Sequence, residues 1–227
     1  RSARDWQSRM LKFVDEHLIP WEVEAEMNDG VIPQDAFDAI FAATREMGLY
    51  FPSIPKDGGG AELSKLEIAV IQEAVGRTTN GMWGCYSDLS PFLYHTANDH
   101  QKERYVEPML RDGTRVCYAI TELGAGSDVD AIEATAVKDG NGYVLNGVKL
   151  HVTGANLSDW IVFQAKLEDG GHALFYVDMQ AEGVSTIRTP RYTHNFRGHH
   201  PLMKFEDVRV TADDMIDADG DGITWTY

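Results

Sequence analysis

The hydrophobic period of the chain changes near Gly113. Up to about Arg111 the apolar residues recur three and four positions apart, for example from Trp6 to Leu18, and this spacing lines one face of an α-helix. Beyond Gly113 the apolar residues form short, partly alternating runs rich in Val, Ile, Tyr and Phe, which is typical of β-strands. The pattern predicts an α+β chain, with an N-terminal all-α helical domain followed by an antiparallel β-barrel or sandwich domain.

The first part of the chain is predicted to form about five helices. Pro20 is expected to end the first helix because proline has no backbone N–H to donate, and Gly48 is expected to cap the second. A loop punctuated by proline and glycine separates the second helix from the third. The predicted helices cover about residues 5–18, 35–47, 62–76, 82–96 and 100–110.

The second part is predicted to form seven short strands. No long helical stretch lies between them, which disfavours a doubly wound nucleotide-binding sheet. Asn146-Gly147 is predicted to be the tight turn of a hairpin because both residue types accept a positive φ, and residues 139–142 offer a second such turn. The predicted strands are residues 116–121, 131–137, 142–145, 149–153, 160–166, 173–178 and 202–210.

Composition and charge argue against several kinds of partner and location. Lys and Arg number 20 against 36 Asp and Glu, and the resulting net charge of −16 repels phosphate backbones, so no nucleic-acid partner is predicted. The apolar stretches are only a few residues long, which predicts no membrane span and no secretory signal. Cys85 and Cys117 are too few for a disulfide framework and favour a reducing, cytoplasmic setting.

The segment between the two parts carries the clearest candidate chemistry. After the strand that ends at Thr121, the chain turns through Gly124 and Gly126, where backbone N–H groups can approach an anion closely and Ser127 adds a donor. This is a candidate phosphate site, and a plain glycine-containing turn is the alternative. The segment is not a dinucleotide fingerprint, because Val129 stands at the third glycine position and no helix pattern follows.

The same segment resembles a known flavin-binding signature. Residues 121–128 read Thr-Glu-Leu-Gly-Ala-Gly-Ser-Asp, and the usual wording in the acyl-CoA dehydrogenase family is Thr-Glu-Pro-Gly-Ala-Gly-Ser-Asp. Three more segments, residues 101–113, 145–153 and 205–210, resemble parts of the same family in the same order. The resemblance covers nearly the whole chain and implies FAD as the cofactor.

The resemblance implies a set of contacts to the cofactor. The flavin ring would be contacted by three residues of the first strand and by two that follow Lys149, whereas the glycine turn would hold the pyrophosphate. The Thr153 hydroxyl would be suited to a hydrogen bond with the reactive flavin nitrogen. The implied residues are Tyr118, Ile120 and Thr121, then His151 and Thr153 for the ring, and Gly126 and Ser127 for the pyrophosphate, with Ser127 also contacting the acyl-CoA.

Two positions depart from the family pattern. Leu123 stands where proline is usual, and His151 stands where the family most often has tryptophan. The second change leaves the packing beside the flavin ring open.

The implied reaction is α,β-dehydrogenation of an acyl-CoA thioester, with hydride transfer to the flavin, as in fatty acid metabolism. The family's catalytic carboxylate lies in a third, helical domain, so the resemblance places the base after Tyr227. No catalytic residue is therefore assigned in this chain, which is predicted to be inactive alone.

The resemblance also implies a domain organisation and partners. The domains expected are residues 1–113, 114–214 and a connection, 215–227, to the third domain. An electron-transfer flavoprotein or similar acceptor is implied as the redox partner, and a homodimer or homotetramer as the assembly.

Two rival functions remain open at the level of sequence. One is a non-catalytic flavin- or CoA-binding partner subunit, and the other is a flavin oxidase or monooxygenase on the same scaffold. A small-residue face from Met82 to Pro91 is either the floor of an acyl pocket or a site of close helix packing.

No metal site is predicted. Residues 217–222 match the start of a calcium loop, but no amphipathic helix precedes them, so a solvated acidic linker is favoured. His194, His199 and His200 have no standard zinc spacing and are interpreted as part of a polar surface loop.

Overall fold

The computed structural model describes residues 2–79, 85–86, 88–193 and 199–216. These residues form two compact units. The first runs to Pro91 and includes a segment that begins at Arg191, and the second contains Phe92–Pro190 together with the described residues from His199 onward. In the described part of the chain, no helix is both long enough and apolar enough to cross a membrane.

The expected connection to a third domain, residues 215–227, is described only as far as Ile216. Tyr227, after which the catalytic base is expected, lies outside the described residues, as do residues 217–222 of the calcium-like sequence. The position of the base therefore stays a prediction.

The first unit is helical. Its helices are α1 (Ser2–Phe13), α2 (Glu22–Met27), α3 (Gln34–Glu46) and α4 (Lys65–Val75). Helix α4 begins with a capping box, in which the backbone N–H of Ser64 donates to Glu67 and the Ser64 hydroxyl accepts from the Glu67 backbone N–H. The apolar stripes form one core, which includes Met10, Val14, Leu18, Ile40, Leu49 and Ile71.

Pro20 does not end the helical path, contrary to the prediction. A π-helical turn, Val14–Leu18, follows α1, and a 3₁₀ turn, Ile19–Trp21, leads directly into α2. Proline is tolerated here because it lies in the first turn of the short 3₁₀ segment, where its missing N–H has no helical acceptor to lose.

Three short helices open the second unit: α5 (Pro91–Thr96), α6 (Asp99–Gln101) and α7 (Glu107–Asp112), with a π-helical turn, Lys102–Val106, between the last two. Of the helix and the small-residue face predicted from residue 82 onward, residues 82–84 and 87 lie outside the described residues.

These helices pack with the sheet that follows them. Tyr105 stacks on Tyr176 of the sheet, with ring centroids 4.2 Å apart. The Gln101 side chain donates to the backbone carbonyls of Asp213, at 2.8 Å, and Met215, at 2.9 Å. The helices from Phe92 onward therefore share a compact unit with the sheet, and the contacts divide the chain at residues 91–92.

The second unit is built on one sheet, to which the described residues contribute eight strands. They are β1 (Val116–Ala119), β2 (Thr135–Asp139), β3 (Gly142–Lys149), β4 (Trp160–Leu167), β5 (His172–Asp178), β6 (Val184–Arg188), β7 (Leu202–Thr211) and β8 (Met215–Ile216). Their order is β6-β7-β3-β2-β4-β5-β8, and β1 pairs with β4 off this path. The core of the unit contains Phe163, Phe175 and Phe205, all fully buried.

The structure confirms helices followed by a β domain, but the sheet is mixed. β1 and β2 both run parallel to β4, whereas the other pairings are antiparallel. Strands β6 and β8 lie outside the predicted set. The four exposed residues at the end of β6 give it no buried alternation, and β8 has only two residues, so neither produces a periodic signal.

The predicted hairpin turn at Asn146-Gly147 is wrong. Both residues lie inside β3, where the register with β7 shifts between Leu145 and Gly147, and residues 150–153 form no strand. Gly147 is required by close approach, because a Cβ there would lie 2.6 Å from the Cβ of Ala134. The other predicted turn is present: Asp139 pairs with Gly142 across a two-residue loop in which Gly140 has a φ of 60°.

Candidate flavin site

The end of β1 and the segment after β3 lie side by side in the second unit. The backbone N–H of Leu150 donates to the carbonyl of Thr121 at 2.7 Å, which joins two segments that are far apart in sequence. They form the wall of a cavity of about 340 Å³. The residues that line the cavity are Val116, Cys117, Tyr118, Ile120, Thr121, His151 and Thr153.

Five of the seven predicted site residues line this cavity. Tyr118, Ile120 and Thr121 come from the end of β1, and His151 and Thr153 follow β3. The other two, Gly126 and Ser127, are exposed in the turn after β1 and do not line it. The structure therefore groups the residues implied for the ring and leaves the residues implied for the pyrophosphate on the neighbouring exposed turn.

The glycine turn leaves open space along its backbone. Glu122 and Ala125 exchange backbone hydrogen bonds of 2.9 and 3.3 Å, which close the turn. Neither Gly124 nor Gly126 has a positive φ, and a Cβ at either position would meet nothing within 4 Å. The described residues therefore give no steric or conformational reason for glycine at positions 124 and 126. The space that a side chain would fill is available to a group that approaches the backbone.

A buried ion pair lies directly behind the cavity wall, and sequence analysis missed it. The Lys149 side chain is 0% exposed, and its ammonium donates to Glu122 Oε1 at 2.7 Å and to the Ile120 carbonyl at 2.9 Å. Glu122 also accepts from the backbone N–H groups of Glu133, at 2.6 Å, and Ala134, at 3.0 Å.

The environment of this pair acts on Lys149 in two opposite ways. Burial lowers the pKa of Lys149, and the hydrogen bond and charge of Glu122 oppose that shift. A sequence signal for the burial existed, because period two puts Lys149 on the same face as buried Leu145.

Two histidines of the predicted polar surface loop, both half-buried, lie beside Thr153 at the edge of the cavity. His200 Nδ1 is 2.9 Å from the Thr153 hydroxyl oxygen, and His199 Nδ1 is 3.2 Å from His200 Nε2. The Thr153 hydroxyl also donates to the carbonyl of His151 at 3.2 Å. The backbone N–H groups of Val152 and Gly154 donate to the carbonyls of Pro201 and His199, which brings the two histidines close to Thr153. The spacing of residues along the sequence does not reveal this contact. His194 lies outside the described residues.

The cavity wall offers hydrogen bonding rather than a nucleophile. Burial raises the pKa of the Cys117 thiol to about 11, so this side chain stays neutral near pH 7. The seven lining residues include no carboxylate. Within the described residues, no group of three or more His, Cys, Asp or Glu side chains is arranged to hold a metal ion.

Models of two domains from one family match the chain. The model described as "Acyl-CoA dehydrogenase, N-terminal domain" matches residues 2–113, and "Acyl-CoA dehydrogenase, middle domain" matches residues 117–208. The chain belongs to the acyl-CoA dehydrogenase family. The two matches confirm the resemblance that the four sequence segments indicated, and every residue that lines the cavity except Val116 lies within the middle-domain match.

Individual relatives extend the comparison. The chain is 38% identical over 148 residues to 3-(aryl)acrylate reductase of Clostridium sporogenes, covering 61% of this chain and 39% of that protein. It is 30% identical over 200 residues to cyclohex-1-ene-1-carbonyl-CoA dehydrogenase of Geobacter metallireducens, covering 85% and 52%. The crystal structure of a Bacillus anthracis acyl-CoA dehydrogenase complexed with FAD shares the fold, with a TM-score of 0.79 at 23% identity, over 99% of this chain and 38% of that one. The chain spans about half the length of the curated relatives it matches.

Proposed function

We propose that the full-length protein is an FAD-dependent acyl-CoA dehydrogenase that converts an acyl-CoA thioester to the enoyl-CoA. One observation carries the proposal: the residues that the family resemblance assigns to the flavin ring, from Tyr118 to Thr121 and from His151 to Thr153, converge on one cavity. They come from segments about 30 residues apart and are brought together by the fold.

The residues present fit a flavin. Among the described strands β1 pairs with β4 alone, so no described strand covers its other edge and a planar ring can lie along it. Thr121 and Thr153 add hydroxyl groups to the lining. The open backbone at Gly124 and Gly126 suits an approaching pyrophosphate, to which exposed Ser127 adds a donor.

The residues around the cavity and in the glycine turn would contribute different contacts to FAD and to the substrate. FAD, when bound, accepts the hydride that leaves the β carbon of the thioester. Tyr118, Ile120 and His151 would shape the wall against which the ring lies. The Thr153 hydroxyl would turn from the His151 carbonyl to hydrogen-bond to the ring. Ser127 contacts both the pyrophosphate and the acyl-CoA. Proton removal from the α carbon is assigned to no residue of this chain.

Thr153→Val in the full-length protein tests the assignment of the ring site. The substitution keeps the shape of the side chain but removes the hydroxyl, so we expect the dissociation constant for FAD to rise about tenfold, the cost of one hydrogen bond to a charged or strongly polar group. FAD binding is measured by quenching of flavin fluorescence. Thr186→Val, at an exposed position of β6, is the control and should bind FAD as the wild type does.

The outcomes separate the rival functions. Reduction of bound flavin by an acyl-CoA, with turnover by a dye acceptor, supports the dehydrogenase. FAD binding without turnover in either direction supports a partner subunit, and fast reaction of the reduced flavin with oxygen supports an oxidase. A full-length protein that takes up no FAD contradicts the proposal.

Reduction of a double bond is the second candidate function. It is favoured by the 38% identity to 3-(aryl)acrylate reductase, although that match covers only 61% of this chain. The same site would then deliver hydrogen to the β carbon of an α,β-unsaturated substrate. Comparing the oxidation of acyl-CoA with the reduction of the corresponding enoyl-CoA by a pre-reduced dye distinguishes the two directions.

An electron-transfer flavoprotein, or a similar acceptor, is proposed as the redox partner. The chain is 29% identical over 194 residues, 79% of its own length and 50% of the relative's, to a protein named caffeyl-CoA reductase-Etf complex subunit CarC of Acetobacterium woodii. A homodimer or homotetramer is proposed from the family resemblance, and a cytoplasmic location is proposed from the two cysteines, Cys85 and Cys117, which are both free. Light scattering of the full-length protein measures the first directly.

A further inference from the structure

We propose that the buried Lys149–Glu122 pair positions the cavity wall, with Lys149 acting as a positioning residue for the backbone of Ile120 and Thr121. This inference rests on the proposed function, since the wall it positions is the proposed flavin site. Neither member of the pair lines the cavity. Their effect on a bound flavin therefore runs through the main chain.

The contacts of Lys149 reach the wall at the two residues where β1 has ended. Its ammonium donates to the Ile120 carbonyl, at 2.9 Å, and the next backbone N–H, that of Leu150, donates to the Thr121 carbonyl at 2.7 Å. Both bonds run from the end of β3 to the same two-residue stretch. They replace the strand pairing that β1 loses after Ala119, and they orient the peptide groups of Ile120 and Thr121.

Glu122 extends this connection to a third segment. Its carboxylate accepts from the backbone N–H groups of Glu133 and Ala134, just before β2, as well as from Lys149. One carboxylate thus joins the end of β1, the approach to β2 and the end of β3. The glycine turn at residues 124–126 starts from this anchored point, so its direction is also set by Glu122.

A role in positioning explains why a charge pair is present at this depth. Burying an ammonium and a carboxylate carries a desolvation cost, and apolar residues of the same volume often replace such a pair with no loss of stability. An apolar side chain at position 149 cannot donate to the Ile120 carbonyl. The Lys149 ammonium also lies 5.1 Å from the centroid of the Phe163 ring, which adds a favourable contact but no direction to the cavity wall.

Two variants and a matched control in the full-length protein test the proposal. Lys149→Met alone leaves Glu122 buried without its cation and is expected to lower the melting temperature strongly. The double variant Lys149→Met/Glu122→Gln removes both charges and is expected to recover part of that loss, because the amide keeps one oxygen that can accept from the backbone N–H groups of Glu133 and Ala134. Lys204→Met is the control, because Lys204 forms an ion pair of equal length, 2.7 Å to Glu206, on the neighbouring strand but at the surface.

The decisive measurements are made on the double variant. We expect its dissociation constant for FAD to be about tenfold above that of the wild type, and its visible flavin absorption bands to shift, even where its melting temperature has recovered. Amide hydrogen exchange is measured in the absence of flavin. It is expected to speed up for residues 118–122 and for Leu150 relative to the Lys204→Met control.

The two readouts keep this inference distinct from the proposed function. Wild-type FAD affinity together with wild-type exchange in the double variant overturns the positioning role and leaves the flavin site intact. If the wild-type protein binds no FAD but the double variant exchanges faster at residues 118–122, the proposed function is wrong and the positioning role stands. Recovery of melting temperature, affinity and exchange together would show that the pair serves stability alone.

Discussion

Asp214 shows at the scale of a residue how one carboxylate joins the helices of the second unit to its sheet. It accepts hydrogen bonds from the Tyr105 hydroxyl and the Thr211 hydroxyl and backbone, and it lies 2.9 Å from His100 Nε2. Burial on its own raises the pKa of Asp214, but the hydrogen bonds from Tyr105, Thr211 and His100 together hold it below its ordinary value. The ionised form is therefore the one that the fold stabilises.

We expect Asp214→Asn to lower the free energy of unfolding by about 1–3 kcal/mol at pH 7, since the buried Tyr105 hydroxyl and the partly buried hydrogen bonds from Thr211 and His100 lose a charged acceptor. The pKa of Asp214 is lower in the folded than in the unfolded protein, so its stabilisation is complete above the unfolded value, about pH 4, and is lost as the pH falls through the folded one. The difference between wild type and variant should thus shrink on acidification. Urea unfolding at several pH values measures it.

Asp213→Asn is the matched control for that measurement. Asp213 is exposed, and the two bonds it accepts from Asn98 and Gln101 go to its backbone carbonyl, which the substitution retains. A loss of stability in Asp213→Asn equal to that in Asp214→Asn would contradict the role assigned to the Asp214 side chain.

At the scale of an element, β3 needs a glycine at position 147, where it passes close to Ala134. The register shift at Asn146 lets β3 continue along β7 for its full length instead of turning back. At the shift, the backbone of Gly147 leaves no room for a side chain beside Ala134. Lys149 reaches its buried position only because the strand continues past this point.

Gly147→Ala is expected to lower the free energy of unfolding by about 1–3 kcal/mol, because its Cβ would lie 2.6 Å from the Ala134 Cβ and 3.0 Å from its Cα. Gly124→Ala is the control. A Cβ at Gly124 meets nothing within 4 Å and the φ is not positive, so its stability should stay within about 0.5 kcal/mol of the wild type. Denaturant unfolding compares the two, and equal effects would contradict the close-approach reason for Gly147.

At the scale of the whole molecule, the compact units do not coincide with the change in hydrophobic period. Family models divide the chain between residues 113 and 117, but the helices from Phe92 onward pack with the sheet. Tyr105 and Gln101 supply that packing through Tyr176 and through the carbonyls of Asp213 and Met215.

A fragment of residues 92–227 is therefore expected to unfold at a higher temperature, and more cooperatively, than a fragment of residues 114–227. The shorter fragment exposes buried Tyr176 and removes the donors to the end of the sheet. Circular dichroism during heating measures both transitions. Equal melting temperatures would show that the helices contribute nothing to the stability of the sheet.

Local patterns were enough to predict the fold class and most of the elements. The apolar spacing of three and four placed α1, α3 and α4, because that period follows directly from helix geometry. Short runs rich in Val, Ile, Tyr and Phe placed β1, β4, β5 and β7 within a few residues. Pro20 and Asn146-Gly147 misled for a common reason. A residue that favours a turn also allows other backbone conformations, and the packing of neighbouring strands and helices decides which one is adopted.

The sequence by itself also determined the membership of the family and the residues proposed for the flavin ring, because the segments that carry them, residues 118–128 and 145–153, are each contiguous. Only the tertiary structure showed that Lys149 is buried against Glu122, that His200 lies beside Thr153, and that the helices after Phe92 pack with the sheet. Each of these contacts joins residues at least 27 positions apart. Their approach depends on strand register and chain closure, which no local spacing encodes.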